Sequence, residues 1–479
     1  MDDPLGGDAS RYSAYGETIA QGRGFADPFS DLPAAEHPPG AGVAAALAPL
    51  LVPDSAMFGQ HPAFVFGQRL TMAAFGVGAV VVLGFVGRRY GGERLGLVVA
   101  GVAAVNPLLW INDALVMSES LTVFVVALVL LAALRAWDRR ARAGGALDGG
   151  ARAGGARDGG ARDGGARDGG ARDGGALAGG ARAGGVRVDR ELVDWALVGA
   201  ACALASLVRA ELILLCVVLI VPMAWWRSRD LGRRPLLRRL VRAGRLVGVA
   251  ALAAVPIVAV WVVPNLVRFE EPTLFSTNDG LTWLGANCPD TYPGGAALGM
   301  WSLECVRFVD GDGNGRDDWT DLSEWRFGDP RQEPSEQSVA YRRAAFEFIG
   351  DHIGDVPKVV AARIGRSLGV YEPATMFERE TFEGRRAVLS WIGWAWFWIT
   401  LVPSLLGLRA LARAGRPVWP LVSEAIVVAV TTVAIYGVTR FRLPWDVAAT
   451  VAVGAWLCSV VDARQRPRAH AGVVGGGAC

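Results

Sequence analysis

The sequence has no glycine-rich nucleotide-binding pattern, neither a P-loop nor a dinucleotide-binding fingerprint. These patterns are typical of proteins that hold a nucleotide by its phosphates. The N-terminal residues do not have the pattern expected of a signal peptide. Its net charge of +2 says little about partners, and no nucleic-acid partner is expected. The sequence therefore offers no nucleotide site for its chemistry.

Apolar residues, in contrast, make up 52% of the 479 residues and are clustered in long runs, with a mean hydropathy of +0.32. A helix of sufficient length crosses a hydrocarbon core of about 30 Å and satisfies its own backbone there. Nine runs are long enough, or nearly so: 70–86, 95–111, 121–136, 192–208, 212–226, 246–263, 388–408, 418–438 and 445–461. The pattern predicts an all-α polytopic membrane protein.

Arginines gather in alternate loops between these runs, at 88–89, 135–190, 227–245, 409–416 and 464–468. The positive-inside rule makes those loops cytoplasmic. The outer side then comprises residues 1–68, the turns at 112–120 and 440–444, and the segment 268–387. An odd number of spans with an outer N-terminus predicts a further helix upstream of Met1. The alternative is a short N-terminus translocated with the first hairpin.

This topology divides the chain into seven regions. They are an outer first loop (1–68), transmembrane helices (69–136), a cytoplasmic linker (137–190), transmembrane helices (191–267), an outer segment (268–387), transmembrane helices (388–461) and a cytoplasmic tail (462–479). Within the linker a five-residue unit such as ARDGG occurs nine times between residues 141 and 185. Such Gly-rich sequence cannot recover the entropy of ordering, so the linker is predicted to be disordered.

Several polar residues stand at the outer ends of these spans. Asp8, Tyr12 and His37 lie in a polar, aromatic stretch before the first span, where they are typical of a site at the lip of a helical bundle. The alternative is a solvated N-terminal tail. Glu119 begins the third span, where an acid is costly unless it is paired or functional. A carboxylate stabilised by the helix dipole is the alternative there.

Arginines also occur at the outer turns. Arg209 is close to Glu211, so it either forms an ion pair with that residue or is available to a phosphate group. Arg440 and Arg442 lie on a turn where the positive-inside rule disfavours them. Binding of a lipid phosphate would explain their presence.

The outer segment contains two further predicted features. Cys288 and Cys305 both lie where the compartment permits a disulfide. The run DGDGNGRDDWTD has oxygen ligands at positions 1, 3, 5, 9 and 12 of a calcium loop: Asp310, Asp312, Asn314, Asp318 and Asp321. This predicts a structural Ca²⁺, with an acidic loop that binds no ion as the alternative. Residues 335–373 predict two amphipathic helices divided near Gly354 and Pro357.

Short motifs recur in a fixed order on the predicted outer side: GDASRY, GRGF, HPPG, MSES, RAEL, GANC, ARIGR and TRFRLP. Together they resemble the glycosyltransferase family 39-like membrane enzymes, which have the GT-C fold and are related to protein O-mannosyltransferases and to the aminoarabinose transferases of lipid A. GANC and ARIGR resemble the actinobacterial branch. The resemblance covers nearly the whole chain except the repeats and the calcium-like loop.

The resemblance implies a GT-C-like helical bundle with an extracytoplasmic segment of loops and helices, located in the plasma membrane. It implies transfer of a sugar from a polyprenyl-phosphate donor to a hydroxyl group of a protein, a glycolipid or a cell-wall glycan. Relatives carry a helix before the first loop and often two adjacent acids, whereas here Asp8 is followed by Ala9. A lipid or solute transporter or flippase, and an inactive membrane scaffold, are the alternatives.

In this resemblance Asp8 matches the essential acid of the first outer loop and Glu119 the second acid. His37 would contact the donor phosphate or the acceptor, and Tyr12 would belong to the same substrate site. The chemistry assigns Asp8 as general base. Glu119 would position the acceptor or a divalent cation. Arg209, Arg440 and Arg442 would stabilise the departing phosphate.

Overall fold

The computed structural model describes residues 5–27, 32–52, 61–152, 189–229, 235–308 and 333–471. In these ranges the ordered elements are helices, and the β structure there is one isolated bridge between Ala26 and Pro33. The predicted all-α class is therefore confirmed. The α-helices are α1 (Gly7–Ala20), α2 (Gly40–Ala45), α3 (Pro62–Val105), α4 (Pro107–Trp110), α5 (Ser118–Arg152), α6 (Arg190–Ser206), α7 (Leu215–Val218), α8 (Ile220–Ser228), α9 (Leu236–Arg268), α10 (Asp279–Ala286), α11 (Pro334–Asp351), α12 (Val356–Ser367), α13 (Pro373–Glu380), α14 (Ala387–Arg413), α15 (Trp419–Ala434) and α16 (Leu443–Ala471).

Six helical stretches among the described residues are long and apolar enough to cross a membrane. They are Pro62–Val105, Ser118–Asp138, Ala210–Ser228, Leu236–Arg268, Ala387–Arg413 and Thr439–Gln465. The remaining two predicted spans, 192–208 and 418–438, correspond to α6 and α15, which have 17 and 16 residues. The chain is thus a multi-pass membrane protein.

The helix α3 contains two of the predicted spans, joined at Gly91 and Gly92. Gly92 has φ +81°, a conformation that L side chains rarely adopt, and the helical dihedral angles are interrupted there. The two halves then pack on each other, since a Cβ at Gly84 would lie 3.3 Å from the Cβ of Ala100. The first two predicted spans therefore form a helical hairpin with a glycine turn.

Glycines bring other helix pairs into backbone contact. A Cβ at Gly199 of α6 would collide with the carbonyl group of Ala250 in α9, and a Cβ at Gly407 of α14 would collide with that of Ala452 in α16. Small residues at such crossings permit the close packing on which helix association in lipid depends. These contacts hold α6 close to α9 and α14 close to α16.

The predicted cytoplasmic linker is only partly within the described residues. Helix α5 continues past the end of its apolar stretch to Arg152, so the linker's first residues are helical. The remainder of the pentapeptide repeats, from residue 153 onward, lies outside the described residues.

The segment between α9 and α14 folds as a helical cap on one end of the bundle. The two predicted amphipathic helices are confirmed as α11 and α12, separated at residues 352–355. Helix α10 packs against α11, and the side chains of Cys288 and Cys305 are joined in a disulfide within the same buried cluster as Leu281 and Tyr341.

Two buried arginines attach α12 to the loop that carries this disulfide. Arg363 donates to the carbonyl oxygen of Ala286 at 2.8 Å and to Oδ1 of Asn287 at 2.9 Å. Arg366 donates to the carbonyl oxygen of Leu298 at 2.7 Å. Burial lowers the pKa of each guanidinium to about 10, which leaves both charged at neutral pH.

Candidate functional site

The predicted N-terminal stretch is a packed helix rather than a tail. In α1 the side chains of Tyr12 and Tyr15 are buried, and Ser13 donates to Oε1 of Gln68 at 2.7 Å. Gln68 in turn donates to the carbonyl oxygen of Ser13 at 3.0 Å. Since Gln68 belongs to α3, these two bonds fix α1 against the bundle. Asp8, in the first turn of α1, is therefore held at a defined position.

Asp8 lies between a histidine and an arginine. Its Oδ1 is 3.6 Å from Nε2 of His37, and its Oδ2 is 3.4 Å from Nη1 of Arg440. The ring of Tyr12 lies 4.7 Å from that of His37, centroid to centroid. Burial, together with the charge of Asp8, raises the pKa of Tyr12, so this phenol is neutral. The structure thus brings Asp8, Tyr12, His37 and Arg440 together.

Glu119 is almost completely buried, with 1% of its side chain exposed. Its Oε1 lies 3.0 Å from Nη2 of Arg385 and 3.7 Å from Nη1 of Arg209. Its Oε2 has no hydrogen-bond partner in the part of the chain that the structure describes. Glu119 does occupy the first turn of α5, as a helix-terminal carboxylate would. Two arginines on the same carboxylate add an ion-pair role to that position.

The ion-pair interpretation of Arg209 has a counterpart in the structure, and its binding of a phosphate stays a prediction. Its Nε donates to Oε1 of Glu211 at 2.6 Å, while its Nη1 points toward Glu119. The guanidinium also lies over the ring of Phe441, 5.2 Å from the centroid. Arg209 is therefore a paired arginine that faces the same cluster as Glu119.

Arg440 and Arg442 come from one 3₁₀ turn, Thr439–Arg442, but have different partners. Arg440 contacts Glu383, Asp8 and the hydroxyl of Tyr436. Arg442 is 3.2 Å from Oδ1 of Asp446 and donates to the carbonyl oxygen of Ser367 at 3.1 Å. Arg440 thus joins the Asp8 cluster, whereas Arg442 forms a buried pair with Asp446 at the wall of the cavity described below.

Three charged residues of this cluster were not predicted from the sequence: Glu380, Glu383 and Arg385. Nη1 of Arg385 is 3.4 Å from Oε1 of Glu380, and Nη1 of Arg440 is 2.6 Å from Oε1 of Glu383. The signal in the sequence was the dense run of charges, FERETFEGRR, directly before an apolar span. Such runs are commonly solvated, and no periodicity marks which of these side chains turn inward.

Part of this cluster lines a cavity between the helical cap and the bundle. It encloses about 450 Å³ of empty space, its opening to solvent included. Charged groups on its wall include Glu119, Glu380, Arg385 and Arg440, with Phe377 and Trp394 on the apolar side. The cavity therefore combines basic and acidic groups with apolar surface, as is common for sites that take an amphipathic ligand.

The predicted metal sites have no counterpart in the described residues. No three His, Cys, Asp or Glu side chains are arranged there to hold an ion. The calcium-like loop, Asp310, Asp312, Asn314, Asp318 and Asp321, lies outside the described residues. Both the structural Ca²⁺ and the active-site cation remain predictions.

Comparison with known proteins gave no matching family model and no matching curated protein. Among solved structures, the chain is similar to the oligosaccharyltransferase of Archaeoglobus fulgidus in complex with zinc and sulfate, with a TM-score of 0.47 and 14% identity over 97% of this chain and 46% of that one. The same archaeal enzyme, AglB, with an inhibitory peptide and a dolichol-phosphate gives a TM-score of 0.42 and 14% identity, over 99% of this chain and 49% of that one.

A third similar structure is ArnT from Cupriavidus metallidurans in the apo state. It gives a TM-score of 0.35 and 15% identity, over 94% of this chain and 73% of that one. The chain spans about half the length of the oligosaccharyltransferase structures that it matches.

Proposed function

We propose that this protein is a membrane glycosyltransferase, which transfers a sugar from a polyprenyl-phosphate donor to a hydroxyl group of a protein, a glycolipid or a cell-wall glycan. The observation that carries the proposal is a network of two acids and three arginines at one cavity. Glu119, Arg385 and Arg440 line the cavity. Asp8 contacts Arg440, and Arg209 contacts Glu119. These residues come from separate parts of the chain.

The arginines suit the leaving group of this reaction. When a sugar is transferred from a lipid phosphate, the bond between its anomeric carbon and the phosphate oxygen breaks, and the phosphate keeps the electron pair. Guanidinium groups bind phosphate oxygens through paired N–H donors and stabilise that charge as it develops. Arg385 and Arg440 both line the cavity, with 4% and 15% of their side chains exposed.

Asp8 is the better candidate for the general base. With 31% of its side chain exposed, Asp8 is accessible to a hydroxyl group. Nε2 of His37 lies 3.6 Å from its Oδ1. Glu119 is held between Arg209 and Arg385, and its burial limits access to an acceptor. We therefore assign Asp8 to accept the proton as the acceptor oxygen bonds to the anomeric carbon. Glu119 positions the two arginines.

The site is proposed to face the outside of the plasma membrane. The arginine-rich loops join the ends of the predicted spans that are opposite the site. The positive-inside rule makes those loops cytoplasmic. A lipid-linked donor in the outer leaflet would then present its phosphate to the cavity while its chain stays in the bilayer. The acceptor would approach from the extracytoplasmic side.

The test is sugar transfer by the full chain in proteoliposomes, with a radiolabelled polyprenyl-phosphate sugar as donor and a membrane extract as acceptor source. Asp8→Asn is expected to lower turnover by about 10²–10⁴-fold, the usual contribution of a general base. Asp351→Asn, which changes an exposed aspartate on the same protein, is the matched control. Wild-type transfer by Asp8→Asn would refute the assignment. Donor movement across the bilayer without transfer would instead indicate a transporter.

A further inference from the structure

A short segment beside the site carries two of its charges. Residues 381–386, here called the strap, connect α13 to α14 through a 3₁₀ turn, Thr381–Glu383. Two of its side chains point inward, Glu383 with 16% exposed and Arg385 with 4%. Phe382, directly before Glu383, is 74% exposed. The guanidinium of Arg385 therefore lines the cavity. The carboxylate of Glu383 reaches the cavity wall through its contact with Arg440, and the large apolar side chain of the strap makes little contact.

Glu383 occupies Nη1 of Arg440, one of the outer nitrogens that an anion would use. Nη1 of Arg440 lies 2.6 Å from Glu383 and 3.4 Å from Asp8, and its Nη2 donates to the hydroxyl of Tyr436 at 3.2 Å. A guanidinium binds carboxylate and phosphate through the same outer N–H donors. A phosphate group on Arg440 must therefore replace Glu383 or lie against it.

A phosphate group that lay against Glu383 would be electrostatically unfavourable. Burial raises the pKa of Glu383, opposed by the charge of Arg440 and reinforced by that of Asp8. The surroundings of Glu383 thus already disfavour a further negative charge. A phosphate placed beside the ionised carboxylate would repel both Glu383 and Asp8 at short range. Outward movement of Glu383, or its protonation, removes that repulsion.

The backbone provides a hinge for outward movement. Gly384 has φ +85°, a conformation in which residues with a Cβ are strained. Its amide donates to the carbonyl oxygen of Thr381 at 3.0 Å. The strap also touches the turn before Asp8, where a Cβ at Gly7 would lie 3.4 Å from Cγ of Glu383. A change at Glu383 is thus directly adjacent to the residues that hold Asp8.

We propose that Glu383 competes with the phosphate group of the donor for Arg440, and that donor binding displaces the strap about Gly384. This inference rests on the proposed function, in which Arg440 binds that phosphate. Nη1 of Arg440 also contacts Asp8, so a phosphate that binds this guanidinium weakens its ion pair with Asp8 and makes the carboxylate a better proton acceptor. Glu383 is therefore a positioning residue that couples donor binding to the general base.

The first experiment measures binding of farnesyl phosphate to the full chain in detergent by isothermal titration calorimetry. Removal of the competing charge by Glu383→Gln is expected to tighten binding about tenfold. Glu378→Gln removes one charge from an exposed site on α13 and is expected to bind as wild type does. Arg440→Gln is expected to weaken binding more than tenfold, and Arg379→Gln, an exposed arginine of α13, to leave it unchanged.

The outcomes separate the two proposals. Equal or weaker binding by Glu383→Gln, with binding still lost in Arg440→Gln, would overturn the competition and leave the proposed phosphate site intact. Wild-type binding by Arg440→Gln would refute that phosphate site itself. Farnesyl sulfate, whose charge is constant across the pH range, is the second probe. Its binding to wild type is expected to tighten as the pH falls, and this trend to disappear in Glu383→Gln.

A second measurement uses the unmodified chain and does not depend on the folding of a variant. Farnesyl phosphate is expected to accelerate hydrogen exchange at the amide of Gly384, because the bond from this amide to Thr381 closes the 3₁₀ turn. Farnesol, which has no anion, is the control. Unchanged or slower exchange with farnesyl phosphate would contradict displacement of the strap.

Discussion

Glu119 and Arg385 are 266 residues apart in the chain, and Oε1 of Glu119 accepts a hydrogen bond from Nη2 of Arg385 at 3.0 Å. Both side chains are almost completely buried, at 1% and 4% exposed. A buried ion pair of this kind costs desolvation to form, and removal of one member leaves the other charge uncompensated. The pair therefore joins the start of α5 to the strap, and its integrity determines whether the site can form.

Glu119→Gln is expected to destabilise the protein by about 3 kcal/mol, the lower end for breaking a buried pair, because Arg385 keeps its contact with Glu380 at 3.4 Å. Thermal unfolding in detergent measures this effect. The exposed Glu378→Gln should change stability by less than about 0.5 kcal/mol. Equal melting temperatures for the two variants would show that Glu119 is not an essential member of the network.

Arg442 offers a contrast to Arg440, since its partner is Asp446 and not the Asp8 cluster. Arg442→Leu is expected to cost about 3–5 kcal/mol, and the double variant Arg442→Leu/Asp446→Leu to recover most of that loss. Thermal unfolding and farnesyl phosphate binding are measured on both variants. Binding within about threefold of wild type in the double variant is expected from a structural role, given that roughly tenfold corresponds to 1.4 kcal/mol. Loss of binding there would make Arg442 a phosphate ligand.

Asp113, in the turn before α5, should make stability depend on pH. Burial raises the pKa of its carboxyl group to about 6, although a hydrogen bond with Ser120 opposes the shift. The folded chain thus holds this proton to a higher pH than the unfolded chain does. Its contribution to stability is full below pH ~4, the ordinary aspartate pKa, and is lost as the pH rises through about 6.

Asp113→Asn is therefore expected to raise stability at pH 7 by about 1–2 kcal/mol, allowing for the partial exposure of the group. It should also flatten the dependence of the melting temperature on pH between about 4 and 6. The exposed Asp351→Asn is the control. A pH profile identical to that of wild type would show that Asp113 titrates normally.

The disulfide between Cys288 and Cys305 joins residues 17 positions apart. On the chain-entropy model its removal by Cys288→Ser/Cys305→Ser should destabilise the protein by about 3 kcal/mol. Thiol labelling of protein purified without reductant tests the compartment as well, because such a bond persists in an oxidising environment. Free thiols at both positions in freshly isolated membranes would contradict the outward orientation. Cys458→Ser, a change at a free cysteine, should leave stability nearly unchanged.

Apolar runs and charges at their ends predicted much of this arrangement. Length and hydropathy are enough to locate the helices, since a span must satisfy its backbone internally. Asp8, Glu119 and Arg440 could be grouped because each stands at the same predicted end of the bundle. This grouping required only the side of the membrane on which each loop lies, and the distribution of arginine predicts that side.

Directions of individual side chains could not be predicted in the same way. Arg440 and Arg442 are two residues apart on one 3₁₀ turn, and only tertiary packing determines that one meets Glu383 and the other Asp446. The strap has no periodic pattern of apolar residues that would predict its conformation. That conformation depends on Gly384. Helix α1 was missed for a related reason: its buried side chains include serine, threonine and tyrosine, which give little apolar signal.

The contact between Asp8 and Arg440 joins residues separated by 432 positions. During synthesis the helix that carries Asp8 leaves the ribosome long before the turn that carries Arg440. The proposed base and its guanidinium neighbour therefore cannot meet until nearly the whole polypeptide has been translated and inserted. A polypeptide that ends before residue 440 would therefore lack the contact between the two residues.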